Sequence, residues 1–159
     1  MQNYIEYYLA SMRQLCPEIK EEHLFDFRQS LYCRTVPKRT EVYSLNSFHN
    51  SIGFIVKGLV RTYYIEENGE EKTAWFTQED GYITDYPSFL NGKPSNYIFE
   101  TMEDSIIVFL PKKAIYTAYQ QQCSIQKYGR LIAEQVIQQL QHKSEYLHNR
   151  RFNRSYHSS

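Results

Sequence analysis

The chain has 159 residues, with 18 basic and 18 acidic side chains, 42% hydrophobic and 16% aromatic content. That content excludes a chain disordered along most of its length, and the length sets an expectation of one domain. The longest unbroken aliphatic or aromatic run is Ile106 to Leu110, far short of the ~20 residues of a membrane-spanning helix.

The opening MQNYIEYYLAS has neither a basic start nor an apolar core, so no secretory signal is expected. Cys16, Cys33 and Cys123 form no CxxC pair. They read as reduced thiols of a cytoplasmic protein. Ile5, Tyr8, Leu9, Met12 and Leu15 recur at spacings of three and four, which predicts a first helix ending at Cys16-Pro17. Pro17 suits the first position of a second helix, and Glu18, Glu21 and Glu22 suit its first turn. Leu24, Phe27 and Leu31 give that helix an apolar stripe, with an expected end near Arg34.

From Val36 to about Leu110 the period changes to two. VYSL, SIGFIVKGLVRTYYI, KTAWFT, GYIT, NYIFET and SIIVFL are separated by turn residues. Many short strands at this spacing predict a sandwich or barrel and not an α/β sheet. Asn68-Gly69 between apolar strands predicts a two-residue hairpin turn, since both residues tolerate positive φ. Gly53 and Gly58 inside strand patterns imply a bulge or a close backbone approach.

The helical period returns at Pro111, with a short helix start through Ile115 and a long helix from about 124 to 148. Its seam of Ala133, Ile137, Leu140, Ser144 and Leu147 is spaced 4-3-4-3, a heptad repeat. Ala133, Ile137, Leu140 and Leu147 are the expected contacts of a parallel homodimer, with Ile132 and Val136 beside them. Residues 149–159 are basic and aperiodic and are expected to be a disordered tail, leaving 1–148 as the domain.

Neutral total charge hides an uneven distribution. Ile65 to Asp104 holds ten acids and two lysines, a net of −8, whereas Leu110 to the end holds eight bases and two acids, a net of +6. Either these are solvated faces, or the basic end faces a polyanion and the acidic part faces away.

Catalytic chemistry finds no footing. GxSxG, GxxxxGK[ST], GxGxxG and HExxH are all missing from the chain. His142-x-x-Glu145-x-x-His148 has metal-like spacing, but steps of three fan the groups over more than one helix face, so neither a metal site nor a catalytic residue is expected. Only His49 lies in the strand region, too few ligands for a cupin-like enzyme, which needs about three on adjacent strands.

Helices, then short strands, then a long heptad helix is an uncommon order. With Gly53-Phe54-Ile55-Val56-Lys57-Gly58-Leu59-Val60-Arg61-Thr62-Tyr63, Asn68-Gly69-Glu70-Glu71, Gln78-Glu79-Asp80-Gly81-Tyr82, Ser88 to Ser95 and Glu100-Thr101-Met102-Glu103-Asp104-Ser105, the chain resembles the effector domain of Crp/Fnr-type transcription regulators. The resemblance covers about residues 20 to 148. It implies a mainly β fold with flanking helices: a double-stranded β-helix, or jelly roll, of the cyclic-nucleotide-binding kind, with N-terminal helices and a long C-terminal dimerisation helix.

The resemblance also places a ligand cassette on Asp85, Tyr86, Lys93, Ser95, Asn96 and Tyr97. The family's Gly-Glu pair falls on Asp85 and Tyr86, so Asp85 takes the carboxylate role only if the register shifts by one. The family's arginine, which would pair with a cyclic phosphate, falls on Ser95. The small residue two places on falls on Tyr97, and Lys93 is the only nearby cation. The expectation is therefore the fold without a cofactor and without tight binding of a cyclic nucleotide, sensing another small-molecule effector or none. Partner DNA would be read through a helix-turn-helix that this chain lacks. The competing reading is a protein-interaction module without a ligand.

Overall fold

The computed structural model describes the backbone of residues 2–157 and the side chains of residues 3–142 and 150. Helix α1 (Gln2–Leu15) presents Tyr8, Leu9 and Met12 to the core, with Cys16 buried just beyond its end, the one-sided burial its spacing predicts. The segment after Pro17 departs from expectation. The Ile19 N–H donates to the Cys16 carbonyl at 3.1 Å, a 3-10 turn follows over Glu21–Leu24, and α2 covers only Phe25–Ser30. The chain then becomes strand at Tyr32, where the sequence pattern had continued the helix to Arg34.

That strand, β1 (Tyr32–Val36), is followed by β2 (Glu41–Tyr43), β3 (Ser51–Lys57), β4 (Val60–Ile65), β5 (Glu71–Thr77) and β6 (Tyr82–Ile83). Helix α3 (Tyr86–Asn91) interrupts the run before β7 (Ile98–Thr101) and β8 (Ser105–Pro111). Two four-stranded antiparallel sheets result, ordered β1-β8-β3-β6 and β2-β7-β4-β5. Ile55, Ile83 and Ile107 of the first sheet meet Tyr43, Val60 and Phe99 of the second to form the core between them. This is the expected jelly-roll architecture.

The β4–β5 connection is one residue longer than predicted. The Gly69 N–H donates to the Glu66 carbonyl at 2.9 Å, and the Glu66 N–H donates to the Glu70 carbonyl at 2.9 Å. Only Gly69, at φ 86°, takes positive φ, so the loop is the three-residue kind, Glu67 to Gly69. At the β3–β4 turn Gly58 has φ 123°, and a Cβ there would lie 2.0 Å from the Ser105 hydroxyl oxygen. This is the close approach expected of it.

Helix α4 (Lys112–Gln121) and α5 (Cys123–His157) close the domain on its other side. With α1 and α2 they enclose a second core, in which Phe27, Leu31, Ile115, Ala118, Ile125 and Tyr128 pack on Phe54, Val108 and Leu110. Helix α5 continues to His157, past the end at 148 expected from the seam, and takes in most of the segment read as a tail. Leu131 and Ile132 are half-buried against the domain, whereas Ala133, Val136, Ile137 and Leu140 are exposed. The side chains of Ser144, Glu145, Leu147 and His148 lie outside the described residues.

Candidate effector site

The cassette begins where β6 gives way to α3. Asp85 has extended backbone (φ −87°, ψ 98°) and caps the helix, its carboxylate accepting the Ser88 N–H at 3.4 Å. Gly92 ends the helix in the left-handed region at φ 64°, the usual helix stop. The chain then returns to the second sheet through Ser95, whose N–H donates to the Ser47 carbonyl at 2.9 Å.

Across this ten-residue excursion the side chains of Asp85 and Ser95 meet. The Ser95 hydroxyl donates to the second carboxylate oxygen of Asp85 at 2.6 Å and accepts the Tyr97 N–H at 3.1 Å. Ser95 is completely buried. The structure thus brings Asp85, and not Tyr86, to the side chain of Ser95. Tyr86 is exposed and stacks on Phe89 at 5.9 Å. Lys93 and Asn96 are exposed.

Tyr97 is half-buried, its ring 5.3 Å from Trp75 and 6.1 Å from Tyr64. An aromatic side chain therefore stands where the resemblance implies a small one. Tyr43, Phe99, Thr62 and Trp75 lie opposite one another across β2, β7, β4 and β5. Directly opposed residues share a sheet face, so they form one transverse row.

The sequence reading missed a partner of the cassette. His49 is 98% buried, stacked on Tyr43 at 4.2 Å and set edge-on to Phe99 at 5.4 Å, where 2% of its surface remains exposed. Its Nδ1 accepts the Asp85 N–H at 3.1 Å and lies 3.2 Å from the Thr84 hydroxyl. Accepting an N–H leaves Nδ1 unprotonated, so the neutral ring carries its proton on Nε2. Burial pushes the His49 pKa down, against the opposing charge of Asp85. Burial also pushes the Tyr43 hydroxyl up to about 12, opposed by its hydrogen bond with Ser51. A lone histidine in a strand region was the only sequence signal, and it names no partner.

The pair Asp85–Ser95 is chemically closed. One carboxylate is shared between a helix N-terminus and a hydroxyl, and among the described residues no guanidinium bonds to it. Cation recognition of a phosphate, which needs charge-assisted donors, has no counterpart among Asp85, Ser95 and Tyr97.

A family model for the cyclic nucleotide-binding domain matches residues 33–122. The chain belongs to the cyclic nucleotide-binding domain family. No match was found among the curated proteins. Among solved structures the fold is similar to the sensor domain of the transcriptional regulator DNR from Pseudomonas aeruginosa. That likeness has 15% identity and a TM-score of 0.70, covering 89% of this chain and 95% of that one. A cyclic nucleotide-binding domain from Methylobacillus flagellatus gives 14% identity and a TM-score of 0.70 over 87% of this chain and 80% of its own. The Thermus thermophilus catabolite activator protein gives 12% identity and a TM-score of 0.65 over 84% of this chain. This chain spans 62% of that protein's length.

Proposed function

We propose that this chain is the effector-sensing and dimerising part of a Crp/Fnr-type transcription regulator, cytoplasmic and without enzymatic activity, whose cassette does not hold a cyclic nucleotide by its phosphate. The observation that carries the reading is the Asp85–Ser95 hydrogen bond, which occupies the position that the resemblance assigns to the family's arginine. The similarity of fold to the DNR sensor domain and to a catabolite activator protein supports the regulatory role. A ligand beside Asp85 and Ser95 would act on α3 and on the packing of α5. The spacing of two α5 helices is what attached DNA-reading modules would feel.

Charge-assisted contacts contribute ~1.5–3 kcal/mol each. Loss of the guanidinium therefore weakens a cyclic nucleotide about tenfold to a hundredfold or more. Calorimetry with cyclic AMP and cyclic GMP at about 100 μM is expected to show no saturable heat. Micromolar or tighter binding of either overturns the cassette reading.

A further inference from the structure

A cleft of about 380 Å³ lies between the 3-10 turn and α2 on one side and α4 on the other. It shares no residue with the cassette or with the core between the two sheets. Its volume falls in the range of small-molecule sites, ~300–1,000 Å³. Phe27 and Ala118 are buried and Ala114 is half-buried, which gives the cleft an apolar floor.

Charges of both signs line it. Glu22 and Asp26 belong to the N-terminal wall and Lys113 to the α4 wall, and all three are exposed. Their charged groups make no ion pair or hydrogen bond among the described residues. Neighbouring charges do pair: Arg28 with Glu6 and Glu21, and Lys127 with Glu18. Lys113 also stands in the first turn of α4, where the helix dipole disfavours a cation. Helix stability therefore does not account for it. A phosphate entering the cleft meets two carboxylates, and a simple amine leaves Lys113 unanswered. A molecule carrying both an ammonium and a carboxylate answers both walls.

The cleft also reaches α5. Gln121 and Gln122, at the corner where α4 ends, line it, and so does His23. Nδ1 of His23 accepts the Lys20 N–H at 3.1 Å and lies 2.8 Å from the hydroxyl of Ser124, in the first turn of α5. One ring and one corner thus join the cleft to the long helix.

We infer that this cleft binds a small zwitterion with an apolar body, its ammonium held by Glu22 and Asp26 and its carboxylate by Lys113, and that the bound molecule ties α2 to the α4–α5 corner. An aliphatic amino acid is the simplest member of the class. The inference goes beyond the cassette reading and does not depend on it.

The full chain, isotope-labelled, is titrated with leucine and with ε-aminocaproate, whose two charges lie farther apart, while backbone amide shifts are followed. At least one of the two is expected to move the amides of Asp26, Lys113 and Ser124 saturably. Isoamylamine lacks the carboxylate and isocaproate lacks the ammonium. Each is expected to bind about tenfold more weakly or worse. Lys113→Gln removes the cation and no existing bond. It is expected to weaken the zwitterion about tenfold or more while leaving the unliganded thermal midpoint unchanged or raised.

Saturable shifts from neither zwitterion overturn the inference. So do shifts confined to the roll. Isoamylamine or isocaproate binding as tightly as the zwitterion overturns it too, since one wall would then go unread. Unchanged affinity in Lys113→Gln, or a lowered midpoint in that variant, has the same effect. None of these results bears on the cassette reading, which the cyclic-nucleotide calorimetry tests.

Discussion

Ser95 closes Asp85 with its hydroxyl and, as an arginine side chain with no acceptor could not, accepts the Tyr97 backbone N–H. Ser95→Ala removes a buried donor to a carboxylate and the acceptor for a backbone N–H, a loss of about 1–3 kcal/mol. Urea unfolding checks this, and an unchanged midpoint would mean that Asp85 needs only its helix cap. His49 makes a second residue-scale prediction. Its folded pKa lies below the ordinary value of 6.5. Between those two pKa values the unfolded chain binds the extra proton, so stability rises with pH there. The contribution is whole above 6.5 and declines as pH falls through it. Denaturant midpoints measured on either side of that value should drop on the acid side, and His49→Gln should flatten the slope. An equal slope in the variant would place the titration elsewhere. The His49 contact was not legible in the sequence, because it joins residues 36 apart, His49 and Asp85.

At the scale of elements the sequence was more informative, for physical reasons that particular segments expose. The alternating strands and the heptad helix are long enough for their periods to register. Tyr32 to Val36 has no such length. Leu24, Phe27 and Leu31 extend a helical stripe into it, yet β1 forms there because β8 offers a full ladder from Tyr32–Phe109 to Val36–Ser105. That is a tertiary decision overriding local pattern. The cassette register stayed open in the sequence for a related cause. Asp85 and Tyr86 differ by one place, and only the cap geometry of α3 tells which side chain turns to Ser95.

The elements are also tied by a tyrosine cluster that no local pattern announces. The Tyr82 hydroxyl of β6 bonds Tyr8 of α1 at 3.2 Å and Tyr128 of α5. Burial holds the Tyr82 hydroxyl well above the ordinary tyrosine range, so all pH values of interest find it protonated and bonding. Tyr82→Phe takes one hydrogen-bond partner from each of Tyr8 and Tyr128 in the core, a cost of about 1–3 kcal/mol. Chemical denaturation tests it, and stability equal to the wild type would show that the cluster contributes packing alone.

The whole molecule has a helix its own domain cannot cover. At 1.5 Å per residue, α5 is about 50 Å long, and its domain contacts end near Ile132. Beyond that point Val136, Ile137 and Leu140 are 47%, 62% and 63% exposed. Burying an aliphatic side chain contributes ~1.5–3 kcal/mol, and a parallel pair buries each of these once per chain. A second copy is the partner we propose for this heptad, with Ala133 allowing close approach at the domain end. Gln138, Gln139 and Gln141 flank the seam, and the Arg130–Glu134 ion pair is exposed, worth only about 0.3–0.5 kcal/mol. The association should therefore be moderate, a dimer at tens of micromolar and not an obligate one. Ile137→Asp with Leu140→Asp sets like charges against each other in the seam and should give a monomer that unfolds at the midpoint of the wild type diluted below its dissociation constant, because neither side chain is part of a core. Sedimentation of the wild type as a monomer at that concentration would sink the proposal. A double variant that still dimerises would move the interface from α5 to the roll.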